Sequence, residues 1–263
     1  MSLRNGARRL GPDNVPSQTV KNEAVEKQRD EVKPASESLV TRTIREIMGL
    51  IRSQDLRPGD PLPAEGPLSS RAGVSRIVVR EANRSLAALG IVELATGRAP
   101  RVSVPDETVV GTLLEHVVHT RHVTIQQVLD VRRSMELRAA ALAALRRTDQ
   151  QAKQLVEHAA AMRAGYDDLD TMREHDVAIH AIVAEAAQNP LLTIMIKAFA
   201  PLLREMWPVG WNSRAEEYER DSMLRCHEAI ADAISRQDVA AARHAMSAHF
   251  DDTMRVLMNA GVT

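Results

Sequence analysis

At 263 residues, 44% hydrophobic and 26% charged, the chain has room for two domains with separate cores and the composition of an ordinary soluble protein. Aromatic residues are only 2%, which argues against stacking on single-stranded nucleic acid, and the single cysteine, Cys226, excludes an intrachain disulfide. The net charge of −1 is unevenly spread: residues 39–105 hold ten arginines against six acids, +4, and the remainder carries −5.

No apolar run approaches a membrane span, and the first residues lack the apolar segment of a secretion signal. A cytoplasmic protein without a membrane partner is expected. Residues 1–37 are polar, mixed in charge and free of amphipathic period, with three prolines, and read as a disordered extension. A helix is then expected from about Leu39 to Ser53, with Ile44, Ile47, Met48 and Ile51 on one face. The cluster Leu56-Arg57-Pro58-Gly59-Asp60-Pro61 ends it as a turn.

Leu62 to Val102 has the order of a helix-turn-helix with a wing. Glu65 to Ala72 is a short helix, Gly73 supplies a permissive turn, and a second helix runs from Ser75 to Leu89. Ser75 suits the N-cap. A recognition helix enters the major groove by its N-terminal residues, so Arg76 and Ile77 lie nearest the bases, with Arg80 one turn on along the same face. Arginine pairs bidentately with guanine, and Ile77 suits a thymine methyl. Val78, Val79, Ala82, Leu86 and Leu89 form the inner face. Strands at Ile91–Leu94 and Arg101–Val104 flank a wing whose tip carries Arg98. The plainer alternative, a solvated arginine row, leaves the Gly turn, the cap and the wing unexplained. Residues 38–105 are therefore expected to form a DNA-binding domain.

Residues 106–263 read as an all-α antiparallel bundle, so the chain as a whole is mainly α. Helices are expected near 107–121, 124–147, 149–166, 168–187, 190–207, 214–236 and 238–258. Four polar residues fall on inward stripes. Asp176 and His180 share one with Met172, Ile179 and Val183; His227 lies with Met223, Ile230 and Ile234; His249 lies with Ala242, Met246 and Val256. The last two helices meet at Gln237-Asp238, which puts His227 and His249 at the same height in a hairpin. Three imidazoles and a carboxylate suit a divalent transition metal such as zinc, nickel, manganese or iron. The alternative is that each histidine is a satisfied core residue. Arg132 also faces inward, either toward a small carboxylate ligand or toward Glu136 one turn on. Of the other histidines, His116, His119, His122, His158 and His244 read as surface or interface positions.

These motifs resemble the GntR family of bacterial transcription regulators, in its FadR-type branch, over about residues 39–258. The winged helix carries the resemblance in Leu62-Pro63-Ala64-Glu65, Val74-Ser75-Arg76, Val79-Arg80-Glu81-Ala82, Leu89-Gly90 and Gly97. The bundle resembles the ligand-sensing FCD domain in Val131 to Glu136, Asp176 to His180, Asn189 to Leu192, His227 to Ile230, and Asp238 through His249. The resemblance implies a homodimeric repressor or activator on a palindromic double-stranded operator. It implies metal ligands at Asp176, His180, His227 and His249, and a small organic or sugar acid as effector, meeting the metal and Arg132. Gly66-Pro67 depart from the basic residue the family often has after its Pro-x-Glu element, and Ala99 replaces a second wing glycine.

The expectation is thus a transcription regulator, not an enzyme, whose operator affinity is set by an effector bound near a metal. The link at Pro105-Asp106 is short enough for a shift in the bundle to reorient the DNA-binding head. The rival readings are a metal-dependent enzyme on a helical bundle and a constitutive DNA binder with a structural metal.

Overall fold

Helix α1 (Leu39–Ser53) begins where the Ser38 hydroxyl accepts from the Thr41 amide. It buries Thr43, Ile47 and Leu50 against the next two helices. This computed structural model describes residues 37–261; residues 1–36, most of the expected extension, and 262–263 lie outside the described residues. Helix α2 (Glu65–Ala72) ends at Gly73, whose φ of +62° is left-handed backbone that a side chain would strain. Helix α3 (Arg76–Ala88) starts on Ser75, whose side chain accepts from the Val78 amide. Its inner face, Val79, Ala82 and Leu86, closes a core with Ile47, Leu50, Leu62 and Leu68. Each such side chain removed from water contributes roughly 1.5–3 kcal/mol.

The wing is shorter than the alternation suggests. Strands β1 (Val92–Glu93) and β2 (Arg101–Val102) pair antiparallel, Val92 opposite Val102. The preceding loop ties the base down: Val102 donates to the Asp60 carbonyl at 2.9 Å and Leu62 to that of Pro100 at 2.7 Å. One inward expectation fails. Leu89 closes α3 as its C-cap and is 46% exposed, because the chain turns there through left-handed Gly90.

The bundle comprises α4 (Thr108–His119), α5 (Ile125–Arg146), α6 (Asp149–Ala164), α7 (Leu169–Ala186), α8 (Pro190–Lys197), α9 (Ala200–Asn212), α10 (Glu217–Ser235) and α11 (Val239–Asn259). Local chemistry sets most starts. Thr124 with Gln127 and Thr148 with Gln151 form capping boxes; Asp168, Asn189 and Asp238 cap α7, α8 and α11. Helices α5, α7, α6, α10 and α11 pack in that order as a ring, α11 returning to α5. Alanines at 139, 140, 143 and 144 are fully buried and let α5 approach its neighbours closely. A side chain aimed into the ring from any of the five meets those from the others.

The expected single helix over 190–207 is two. Pro201 has no N–H for the Lys197 carbonyl and its ring crowds that group, so α8 stops at Lys197 and α9 restarts at Ala200. Helix α9 then continues past 207 to Asn212. Helix α10 begins at Glu217, three residues later than expected. The buried Arg214 is instead held to the end of α9 and to α11, donating to the Gly210 carbonyl at 2.8 Å and to Asp252 at 2.7 Å.

Candidate metal centre and DNA-reading face

The ring interior holds the four residues singled out from the sequence, all of them buried: Asp176 and His180 on α7, His227 on α10 and His249 on α11. The ring centroids of His227 and His249 are 4.6 Å apart, and His180 lies 5.8 and 5.0 Å from them. One ligand nitrogen from each of the three falls within 4.8 Å of the other two. Asp176 Oδ1 sits beside them, 2.8 Å from His227 Nε2 and 4.0 Å from His180 Nε2.

Hydrogen bonds fix which nitrogen faces the centre. His227 donates from Nδ1 to the Met223 carbonyl at 3.0 Å, and His180 donates from Nδ1 to Glu136. Both Nε2 atoms are buried and find no hydrogen-bond partner among the described residues. With Nδ1 protonated, His227 Nε2 can face a carboxylate oxygen 2.8 Å away only by sharing a cation with it, either a second proton on the ring or a metal ion. Metal-ligating histidines typically donate their second nitrogen to a carboxylate or carbonyl, which is the arrangement here. The donor set fits a divalent transition metal.

Burial alone would raise the Asp176 pKa, but the neighbouring His227, His180 and His249 outweigh it and hold the carboxyl well below its usual range. Burial, reinforced by His227 and His180, pushes His249 well below the 6.5 of a free imidazole, so its ring is neutral and able to ligate. Glu136 is likewise lowered, Arg132 and His180 overcoming its burial.

Arg132 realises one of its two expectations. It forms a buried ion pair with Glu136, and the guanidinium lies 5.4 Å from the Phe250 ring centroid. It also borders two cavities. One, between α5, α9, α10 and α11, reaches Asp176 and His249; the other lies under α4 and reaches His180. Glu136 thus links cation and histidine. The sequence marked it only as the partner of Arg132, since its contact with His180 crosses between helices.

On the other domain, Arg76, Ile77 and Arg80 all point to solvent, with Ile77 76% exposed. Arg80 donates from Nε and Nη2 to the two oxygens of Glu65 at 2.9 and 2.8 Å, which lowers the Glu65 pKa and raises that of Arg80. A methyl group on Gly66 would meet Arg76 Nη2 at 3.4 Å, so the Arg76 guanidinium lies over the first turn of α2. Arg84 approaches Glu81 at 3.9 Å in solvent. Arg98 sits at the exposed wing tip beside left-handed Gly97, and the concave face between α3 and the wing carries all four arginines. The amide of Asn83 is buried at its base without a hydrogen-bond partner, a feature the sequence did not flag.

Elsewhere, His158 and His175 pair through Nδ1 atoms 2.8 Å apart at the interface of α6 and α7, both half-buried. His116, His119, His122 and His244 are exposed, as expected.

An arginine-bearing winged helix joined to a helical ring with ligand-type side chains at its centre defines a DNA-binding regulator with an attached sensing domain. Comparison with known proteins agrees domain by domain. Residues 39–102 match the model for bacterial regulatory proteins of the gntR family, and residues 127–252 match that for the FCD domain. The chain is 32% identical to the galactonate operon transcriptional repressor of Escherichia coli K12, over 72% of this chain and 83% of that protein. It is 29% identical to the regulator LutR of Bacillus subtilis 168, over 79% of this chain and 96% of LutR, and 30% identical to the repressor NanR of Enterobacter sp. 638, over 78% and 80%. Among solved structures, a Streptococcus agalactiae GntR protein superposes with a TM-score of 0.56 at 24% identity, over 82% of this chain and 99% of that one. The chain belongs to the GntR family, with an FCD domain, and is a DNA-binding transcription regulator rather than an enzyme. Among the described residues no helix is long and apolar enough to cross a membrane.

Proposed function

We propose that this protein is a homodimeric, cytoplasmic regulator whose affinity for a palindromic operator is set by a small carboxylate bound beside a metal in the FCD domain. The observation that carries the reading is the pair of buried, unbonded Nε2 atoms of His180 and His227 in a ring that also holds His249 and Asp176, beside a cavity that reaches this centre. A purely structural metal needs no such cavity. Zinc, nickel, manganese or iron suits the donor set. When bound, the metal would supply Lewis acidity and open positions for a carboxylate oxygen. The protein's own side chains do the rest. Glu136 orients His180 and balances Arg132, and Arg132 presents positive charge to both cavities.

Two winged helices would read half-sites about one helical turn apart, through Arg76, Ile77 and Arg80, while Ser75 fixes the start of the helix and Arg98 contacts the backbone or minor groove. Helix α4 connects the sites. It follows the wing directly, lines the cavity that reaches His180, and packs so closely that a methyl on Gly111 would meet the Ala198 carbonyl at 3.1 Å. A ligand that favours one placement of α4 over another shifts the heads, by no more than its difference in affinity for the two.

The test is fluorescence anisotropy of operator DNA, from the promoter region upstream of its own gene, at fixed salt with metal-loaded protein. Addition of a small-acid library should change the operator Kd for at least one member. Constant affinity across the library and with metal removed would leave only a constitutive binder.

A further inference from the structure

The cavity between α5, α9, α10 and α11 is lined mostly by apolar side chains, with a few charged ones among them. Asp176, His249 and Arg132 are among its lining residues, and Asp176 and Arg132 both act electrostatically on His249. The walls are Leu129, Leu203, Trp207, Trp211, Met223 and Leu257 among others, and the only hydroxyl or amide side chain among the lining residues is Thr253. That hydroxyl already donates to the His249 carbonyl at 3.0 Å. The remaining charge, Arg214, is neutralised by Asp252 and also donates to Gly210; its Nε alone lacks a partner. Trp207 stacks on Trp211 with centroids 5.5 Å apart and planes 14° from parallel, while Tyr166 and Arg220 brace Trp211 in turn.

A polyhydroxylated acid placed here would bury several hydroxyls against one engaged hydroxyl, two indole N–H groups and the Arg214 Nε, too few partners for all of them, and each unpaired group opposes binding. An apolar body would instead exchange water for aliphatic side chains and an indole face, the cavity, about 70 Å³ as it stands, widening to admit it. Resting on the reading of an acid effector at this site, we propose that the ligand is a monocarboxylic acid with an apolar body, an arylalkanoic acid above all. Its carboxylate faces the histidine centre and Arg132, and its ring lies against Trp207.

The two tryptophans of the chain both line this cavity, so tryptophan emission responds to changes in its lining. Metal-loaded full-length protein is titrated with 3-phenylpropionate, hexanoate, glutarate and gluconate, following tryptophan emission and thermal midpoint. Phenylpropionate should bind at least tenfold tighter than gluconate or glutarate, with hexanoate between. Trp207→Ala should weaken phenylpropionate at least fivefold with metal content unchanged. Should that variant fold poorly, Thr253→Val serves: phenylpropionate affinity is retained, and a tenfold loss would show that the hydroxyl, not the apolar wall, selects the ligand. Gluconate or glutarate binding as tightly as phenylpropionate overturns the apolar selection and leaves an acid sensor standing. Binding by none of the four overturns the arylalkanoic assignment, and the effect of the small-acid library on operator affinity then decides whether an acid sensor stands.

Discussion

Arg80 and Glu65 are joined by two parallel hydrogen bonds, 2.9 and 2.8 Å, that tie the recognition helix α3 to the first turn of α2. The pair is fifteen residues apart in sequence and solvent-facing. It contributes little to stability at such exposure. Its consequence is orientation: the guanidinium is held in one pose before DNA arrives, with Nη1 left outside the pair.

Replacing Arg80 by alanine should therefore weaken operator binding about 10- to 100-fold at fixed salt, with a much smaller effect on unrelated DNA. Glu65→Gln should behave differently. Loss of the anion favours phosphate contact while the guanidinium is less restrained, so non-specific affinity holds or rises and the specificity ratio falls. Anisotropy titrations against operator and scrambled duplex at one ionic strength separate the two. Equal losses on both duplexes for Arg80→Ala would make it a phosphate contact.

Metal removal gives the second expectation. A chelator should lower the thermal midpoint, and stoichiometric zinc, nickel or manganese should restore it. His227→Ala should abolish stoichiometric metal by elemental analysis if His227 is a ligand as proposed, its buried ring being already oriented by the Met223 carbonyl. Retention of one metal per chain would dismiss His227 as a ligand.

Glu136→Gln probes the link between Arg132 and His180. It removes the counter-charge from a buried guanidinium, and breaking a buried pair on one side costs on the order of 3–5 kcal/mol. It also weakens the acceptor for His180 Nδ1–H, so metal affinity should fall about 10- to 100-fold. Glu136→Gln with Arg132→Met should recover much of the stability and none of the metal affinity. Denaturant midpoints and competitive metal titration read the two effects apart.

The pH profile of the metal-free protein follows from His249. Burial holds its folded-state pKa below the unfolded value near 6.5. The unfolded chain therefore takes up a proton first as pH falls. Stability is full above about pH 6.5 and declines below it. Asp176, also depressed, adds a further decline below its unfolded pKa of about 3.8. Thermal midpoints from pH 8 to 5 should drop below 6.5, and His249→Phe should flatten that part of the curve. A flat profile in the parent protein would contradict the burial argument.

Gly111→Ala tests the packing of α4. The added methyl meets a backbone carbonyl, which cannot swing aside as a side chain can, so a loss of about 1–3 kcal/mol is expected. If α4 carries the signal, the variant also changes how far ligand shifts operator affinity. An unaltered shift at lowered stability would confine Gly111 to packing.

Much of this molecule was legible along the chain because its signals are local. Caps, the Gly73 turn, the Arg76 and Arg80 face and the stripes bearing Asp176, His180, His227 and His249 are set within a few residues, where helical period and turn chemistry act. The level placement of His227 and His249 followed from counting residues to one turn. Where expectation failed, a local rule was missed or overridden: Pro201 divides α8 from α9, and Arg214, drawn to Asp252 on α11, delays α10. What only tertiary structure decided was which groups share space. The contact of Glu136 with His180, the clasp of Glu65 on Arg80 and the indole wall beside the histidine centre each join separate helices or distant turns, and are set by how the helices pack. Side-chain periodicity determines which face turns inward; the packing of the ring determines what that face meets.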